Sequence, residues 1–378
     1  MMKSRKFRDI AFMLHRYIGL AVGLLTAFVG LTGSFLVFKP EIEQLLISQR
    51  VGRIVPQEQM VSIDTILETV KYAIANRPNL TFYSIRLPAT VSSPYQADLF
   101  DANNQLIRLF IHPYTGEIIN WNQADSSLER VILYLHYNLM LGKNGQILVG
   151  ITGLLLFILC ITGLILWPGW RKLITGFKIK WNAHPKRVNF DIHKVTGIVT
   201  AIFLACTAFT GFCWNFSDWT YPVIYAATFT PQPEEVTSKP LDNQQPLKLS
   251  QILKNSHQVF PNATTFSVTI PSKPEDAIYI SKRQNHEHLF YGESGVYIDQ
   301  YSGEVLQVVD SLKLSLADRI FSTFHYLHYG TFWGLGSRIF YIFVGLIPTI
   351  LFVTSFVMYK YRKNKTKSQN AITKSPIV

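Results

Sequence analysis

Four stretches carry no Asp, Glu, Lys or Arg and are long enough to cross a bilayer, which takes about 20 helical residues: 17–38, 147–167, 195–216 and 339–359. The first follows Lys3, Arg5, Lys6 and Arg8, as a signal peptide's apolar core would. It is too long for such a core and lacks a clear small-residue cleavage site, so a retained helix is expected. Shorter patterns fill the two long loops. Ile63, Ile66, Leu67, Val70 and Ile74 repeat with helical period across 62–76, ending near Pro78. Strands are expected at 81–87, 95–100 and 105–111, with a turn at Tyr114–Gly116. The second loop repeats this with a helix near 249–259 and strands near 265–270, 277–281, 288–291 and 296–300. Residues 230–246, with Pro231, Pro233, Pro240 and Pro246, read as a linker. The expected fold class is an α-helical membrane protein with four transmembrane helices and two small α+β domains.

Charge orients these elements. Residues 1–16, 169–187 and 360–378 hold 5, 6 and 6 Lys/Arg and one acid, Asp9, against a chain total of 36 Lys/Arg and 24 Asp/Glu. All three basic segments fall on one side of a four-span topology. The positive-inside rule puts both termini and the middle loop in the cytoplasm, and in a bacterium the two long loops in the periplasm. The net charge of +12 is thus a topology signal and not a nucleic-acid footprint. The expected segments are 1–16 (cytoplasmic), 17–38 (first span), 39–146 (first outer domain and re-entry), 147–167 (second span), 168–194 (cytoplasmic loop), 195–216 (third span), 217–338 (second outer domain and re-entry), 339–359 (fourth span) and 360–378 (cytoplasmic tail). With 48% hydrophobic and 16% charged residues, disorder and coiled coil are excluded. Cys160, Cys206 and Cys213 all lie in apolar runs, too few for a disulfide framework.

The chain also repeats itself. His15-Arg-Tyr-Ile-Gly19 matches His193-Lys-Val-Thr-Gly197, and Ile85-Arg-Leu-Pro88 matches Val268-Thr-Ile-Pro271. Tyr114-Thr-Gly-Glu117 matches Tyr301-Ser-Gly-Glu304, and Leu135-His-Tyr137 matches Leu327-His-Tyr329. The offsets grow in order, 178, 183, 187 and 192, as loop insertions would make them. Each span carries a Thr-small pair: Thr32-Gly33, Thr162-Gly163, Thr210-Gly211 and Thr354-Ser355. The unit is helix, outer domain, helix, and the two units are parallel repeats about an axis along the membrane normal. The Thr-small pairs are expected to be packing and backbone-bonding devices.

Four of the ten histidines obey the repeat. His15 and His193 fall at cytoplasmic helix ends, His136 and His328 at outer ends. Ionisable residues at a membrane mark function by default. The twofold pairs His15 with His193 and His136 with His328. Two imidazoles from different helices suit the iron of a haem, whereas a closed zinc or copper site usually needs three or four ligands. No Cys-x-x-Cys-His occurs, so the haem would be b-type, one per pair. His325 lies one helical turn before His328 and could replace it or add a second site; the repeat favours His328, because His325 aligns with Leu133. His286-Glu-His288 reads as a solvated hairpin, and His112, His184 and His257 as surface residues. The tryptophans mostly fit aromatic belts. Arg16, Lys194, Arg130 and Arg319 lie near the histidine levels, where haem propionates or phospholipids could meet them.

As a set, His15-Arg-Tyr-Ile-Gly-Leu, Tyr114-Thr-Gly-Glu, Leu135-His-Tyr with Gly142, Ile161-Thr-Gly-Leu-Ile-Leu-Trp167, Asp191-Ile-His-Lys-Val-Thr-Gly197 and Leu327-His-Tyr-Gly330 resemble the PepSY-associated transmembrane family, over about residues 8–362. Members are often called iron-regulated membrane proteins. The resemblance implies PepSY-type outer domains, four membrane helices, two b haems and periplasmic reduction of ferric siderophores. By position His15, His136, His193 and His328 match the family's recurring histidines, with His325 in the same region. Thr354-Ser355 departs from the more common Thr-Gly. The expectation is an inner-membrane, haem-dependent ferric-chelate reductase fed by a cytoplasmic or membrane electron donor. The alternative is a PepSY membrane protein that binds or regulates a peptidase or peptide without redox chemistry.

Overall fold

The computed structural model describes residues 2–240, 245–287 and 292–372, with side chains from residue 6 to residue 362 within those ranges. The chain divides into two units. One comprises the chain up to Val37, Ile132–Val223 and the chain from Phe324; the other comprises Phe38–Val131 and Ile224–Thr323.

The first unit is helical. Among the described residues four helices are long and apolar enough to cross a membrane: Lys6–Leu36, Gly142–Trp170, Pro185–Asn215 and Gly334–Arg362. They lie within or run along helices α1 (Met2–Leu36), α5 (Gly142–Leu166), α7 (Pro185–Asn215) and α11 (Gly334–Ile372). Helix α1 packs on α5 and α11, and α7 packs on the same two, which closes a four-helix ring. Helices α1, α7 and α11 extend past their apolar runs on the basic side. α7 starts at Pro185, a proline tolerated at the first helical position, behind His184, whose ring nitrogen accepts the Lys186 N–H at 3.2 Å. His15 and His193 therefore sit on unbroken helix.

Small residues allow the helices to approach. A Cβ on Gly30 of α1 would lie 2.4 Å from the Gly345 carbonyl of α11, and Ser34 Oγ donates to the Ile342 carbonyl at 2.9 Å. Two shorter helices belong partly to this unit, α4 (Leu128–Asn138) and α10 (Leu316–Tyr329). α4 ends where Leu139 and Met140 take φ of 55° and 57°, a sharp reversal into α5. α10 ends at Gly330 with φ 67°, ahead of α11.

The second unit carries one antiparallel sheet of eight strands: β1 (Thr81–Arg86), β2 (Tyr95–Phe100), β3 (Leu106–Ile111), β4 (Ile118–Gln123), β5 (Thr264–Thr269), β6 (Ile278–Arg283), β7 (Ser294–Ile298) and β8 (Val305–Val309). Their order is β4-β3-β2-β1-β5-β6-β7-β8. Each of the two long loops contributes four strands to this one sheet. The first strand of each four-stranded meander pairs with the other, Ser84 to Thr269, Ile85 to Val268 and Arg86 to Ser267, so neither leaves an open edge at the join. The expected strand at 288–291 lies outside the described residues. Strands β4 and β8 extend each meander beyond the expected set, after turns in which Gly116 and Gly303 take φ of 75° and 73°.

Helices α3 (Ile63–Ile74) and α9 (Leu249–Val259) cover one sheet face. Ile66, Val70 and Ile252 pack there with Ile85, Leu99, Leu109, Val268, Ile280 and Ile298. Ser62 caps α3 by accepting the Thr65 N–H, and Asp64 of α3 accepts from the Ser250 backbone N–H and hydroxyl of α9. On the opposite face Arg108 meets Asp98 at 2.6 Å and Glu43 at 2.6 Å, while Arg86 reaches Asp98 at 3.0 Å. Glu43 belongs to α2 (Lys39–Val51), a helix with no buried residue of its own, so ion pairs contribute to holding it.

One core residue conflicts with this packing. Lys282 on β6 is fully buried, and its Nζ has no hydrogen-bond partner among the described residues. Burial pushes its pKa down to about 8. Above that pH the folded chain releases a proton that the unfolded chain still holds, so stability rises with pH from about 8 towards the ordinary lysine range. Lys282→Met is expected to remove that slope and to raise stability at pH 7 by about 1–3 kcal/mol. Thermal melting between pH 7 and 10 checks both, and an equal slope in the variant would contradict the assignment.

Candidate functional site

The helical unit brings the four repeat-related histidines together in two facing pairs. The rings of His15 (α1) and His193 (α7) have centroids 6.1 Å apart and planes at 87°. The rings of His136 (α4) and His328 (α10) are 6.0 Å apart, with planes at 77°. Along α1, His15 precedes Thr32, the partner of His136, by 17 residues; along α7, His193 precedes Thr210, the partner of His328, by the same number. The two pairs therefore lie about 25 Å apart along the helix axes.

Each imidazole is aimed by a threonine from another helix. His15 Nδ1 lies 2.9 Å from Thr162 Oγ1, and His193 Nδ1 lies 2.9 Å from Thr354 Oγ1. His136 Nδ1 lies 3.2 Å from Thr32 Oγ1, and His328 Nδ1 lies 2.7 Å from Thr210 Oγ1. These threonine hydroxyls already donate to carbonyls of their own helices: Thr162 to Ile158 at 2.8 Å, Thr354 to Ile350 at 2.7 Å, Thr210 to Cys206 at 2.8 Å and Thr32 to Val29 at 2.8 Å. A hydroxyl has one proton, so its oxygen accepts from the ring, and Nδ1 carries the hydrogen. His136 Nδ1 also donates to the Val29 carbonyl at 3.0 Å. This tautomer leaves a lone pair on Nε2 of all four rings, the form that binds a metal.

The small residue after each threonine makes room for the ring. A Cβ on Gly33 would sit 2.9 Å from His136 Cε1, and one on Gly163 would sit 3.3 Å from His15 Cε1. At the fourth position Ser355 stands in place of glycine, yet Thr354 holds His193 at the same distance as Thr162 holds His15. The Thr-small pairs thus do more than pack: they are the partners of the histidines. The 17-residue spacing signalled a relation, but each pairing crosses between helices and no local pattern reveals it.

In the second pair, burial first and then the neighbouring rings of His136 and His325 hold His328 down to about 3; burial lowers His136 also. Both are neutral at physiological pH. His325 sits one turn before His328 with its ring on Trp214, at 5.1 Å, and Tyr329, at 5.9 Å; it is His328 that faces His136. Trp214 also lies 4.7 Å from His328, so this tryptophan packs on the site.

Two of the basic residues near the histidine levels are committed elsewhere. Lys194 donates to the carbonyls of Thr175 and Lys178 and to Asp191, at 2.7, 3.0 and 2.7 Å, tying the segment before α7 to that helix. Arg130 pairs with Asp125 at 2.9 Å. His286 meets Ser311 Oγ at 2.8 Å; His288 lies outside the described residues.

An iron bound by an imidazole nitrogen at about 2 Å on each side separates the two ring centroids by about 6 Å. Both pairs meet that spacing, with Nε2 lone pairs available, so the donor set fits a bis-imidazole haem. Among the described residues no group of three or more His, Cys, Asp or Glu is arranged for a bare ion. In comparison with known proteins, the model of the PepSY_TM family, described as the PepSY-associated TM region, matches residues 12–362. No curated protein matches the chain.

Proposed function

Since this chain belongs to the PepSY-associated TM family, we propose that its paired imidazoles would hold the irons of two b-type haems. They would form a transmembrane one-electron conduit that reduces Fe(III) chelates, ferric siderophores among them. The observation that carries this reading is the spacing of the two pairs, 6.1 and 6.0 Å between centroids with every Nδ1 tied to a threonine. Bound haem supplies one-electron chemistry. The chain supplies fixed neutral ligands and two levels about 25 Å apart, close to the thickness of a hydrocarbon core of about 30 Å.

The charge asymmetry supports an orientation with both termini in the cytoplasm of the producing cell and the sheet unit in the periplasm. The haem that His15 and His193 would hold would then lie on the side of a cytoplasmic or membrane electron donor. His136 and His328 hold the level from which an Fe(III) chelate is reduced, and weaker binding of Fe(II) releases the metal. The repeated motifs support two tandem helix–PepSY–helix units, which would make the two levels twofold-related.

The test is anaerobic mixing of dithionite-reduced, desalted protein with ferric nitrilotriacetate and a coloured Fe(II) trap. Two trapped Fe(II) per chain with loss of the reduced spectrum are expected. A reduced spectrum that persists would overturn the reductase reading.

A further inference from the structure

The two sides of the His136–His328 pair are not built alike. The offset of 178 residues aligns Trp214 with Leu36, and the offset of 192 aligns His325 with Leu133. On the His328 side Trp214 therefore contacts two imidazoles, at 4.7 and 5.1 Å, and Tyr329 lies 5.8 Å from Trp214 and 6.0 Å from His328. Tyr329 is 40% exposed, so an unbroken layer of rings runs from the half-buried imidazole of His328 to the surface. The first half has leucine at both of the layer's distinctive positions. Twofold packing alone would not replace two leucines by a tryptophan and a histidine on one side only.

We propose that the second level discharges on this side alone: an Fe(III) chelate docks on the layer of Trp214, His325 and Tyr329 and receives its electron past His328. This rests on the haem reading above. One electron would pass to the chelate's Fe(III), giving Fe(II), and the haem held by His136 and His328 would supply it; no bond to the protein forms. The rings cover the apolar edge of a chelate, and the imidazole of His325 and the phenol of Tyr329 carry polar atoms for its oxygen ligands. Leucines at 36 and 133 offer neither.

The test uses Trp214→Leu and His325→Leu, which give the second half the residues of the first. Two readouts are taken on the full-length purified protein. In one, gallium(III) nitrilotriacetate, a redox-inert stand-in, is expected to protect His325 from diethyl pyrocarbonate, read by mass spectrometry. In the other, reoxidation of the reduced protein by ferric nitrilotriacetate is expected to slow about tenfold or more in each variant, with haem content unchanged. Wild-type rates in His325→Leu together with no protection would overturn the proposal. Should Trp214→Leu lose a haem, Trp214 holds His328 in place and His325→Leu decides the question. A protein without any haem would sink the conduit, whereas the protection experiment would still report whether a chelate docks at this layer.

Discussion

Replacing His328 by Ala is expected to lower haem content from two per chain to one and to cut Fe(III) chelate reduction by about 100-fold or more. Loss of groups that merely orient a ligand already costs about 10–100-fold in metal sites, and His328 would be the ligand itself. Its ring is one of two that face each other at 6.0 Å, and Thr210 fixes its tautomer at 2.7 Å. His136→Ala should give the same loss, because each iron needs both rings. His325→Ala should keep two haems, since its ring packs on Trp214 and not against His136 in a facing pair. The remaining haem in His328→Ala should stay reducible, because His15 and His193 lie about 25 Å away on other turns of the bundle. Haem quantitation on the three variants checks this; full haem content in His328→Ala would contradict the ligand assignment.

Asp98→Asn is expected to destabilise the sheet unit by about 3–5 kcal/mol, the range for breaking a buried ion pair on one side. Asp98 and Arg108 are both nearly fully buried, and Asp98 is shared between Arg108 and Arg86. Burial first, and then the neighbouring Arg108, already pushes the Arg86 guanidinium below its ordinary range. With the carboxylate neutralised, two guanidiniums face each other with Glu43 as their remaining acid among the partners described above. The expected fall in melting temperature is on the order of 10 °C. Glu68→Gln, which removes an exposed pair with Lys71, should leave it within about 1 °C. Thermal melting of the two variants side by side separates a buried network from a surface pair.

Much of this architecture is legible in the chain. The spans announce themselves because a bilayer demands long uncharged helices, and six strands stand out because their alternating residues bury one face against α3 and α9. Strands β4 and β8 escape notice because they are edge strands with no buried residue to mark a face. Helix α2 escapes because its apolar residues, Ile42, Leu45, Leu46, Ile47 and Val51, form no clear stripe and none is buried, so the helix leans on Glu43. The pairing of β1 with β5 joins residues some 180 positions apart, and nothing local encodes it. The four histidines are visible through the repeat. Their threonine partners are visible as residues but not as partners, because His15 meets Thr162 and His193 meets Thr354 across helix boundaries. Lys194 looked available for an anion from sequence, and only the contacts with Asp191, Thr175 and Lys178 show that it is spent.

The most direct test of the central claim is an absorbance spectrum of the purified protein, oxidised and dithionite-reduced, with haem counted per chain. The pairing of His15 with His193 and of His136 with His328 predicts two b haems per chain with sharp reduced α-bands. One haem would mean that a single pair is a site. No haem, even after expression with added haem, would contradict the account and favour a membrane protein whose sheet unit binds a peptide or peptidase.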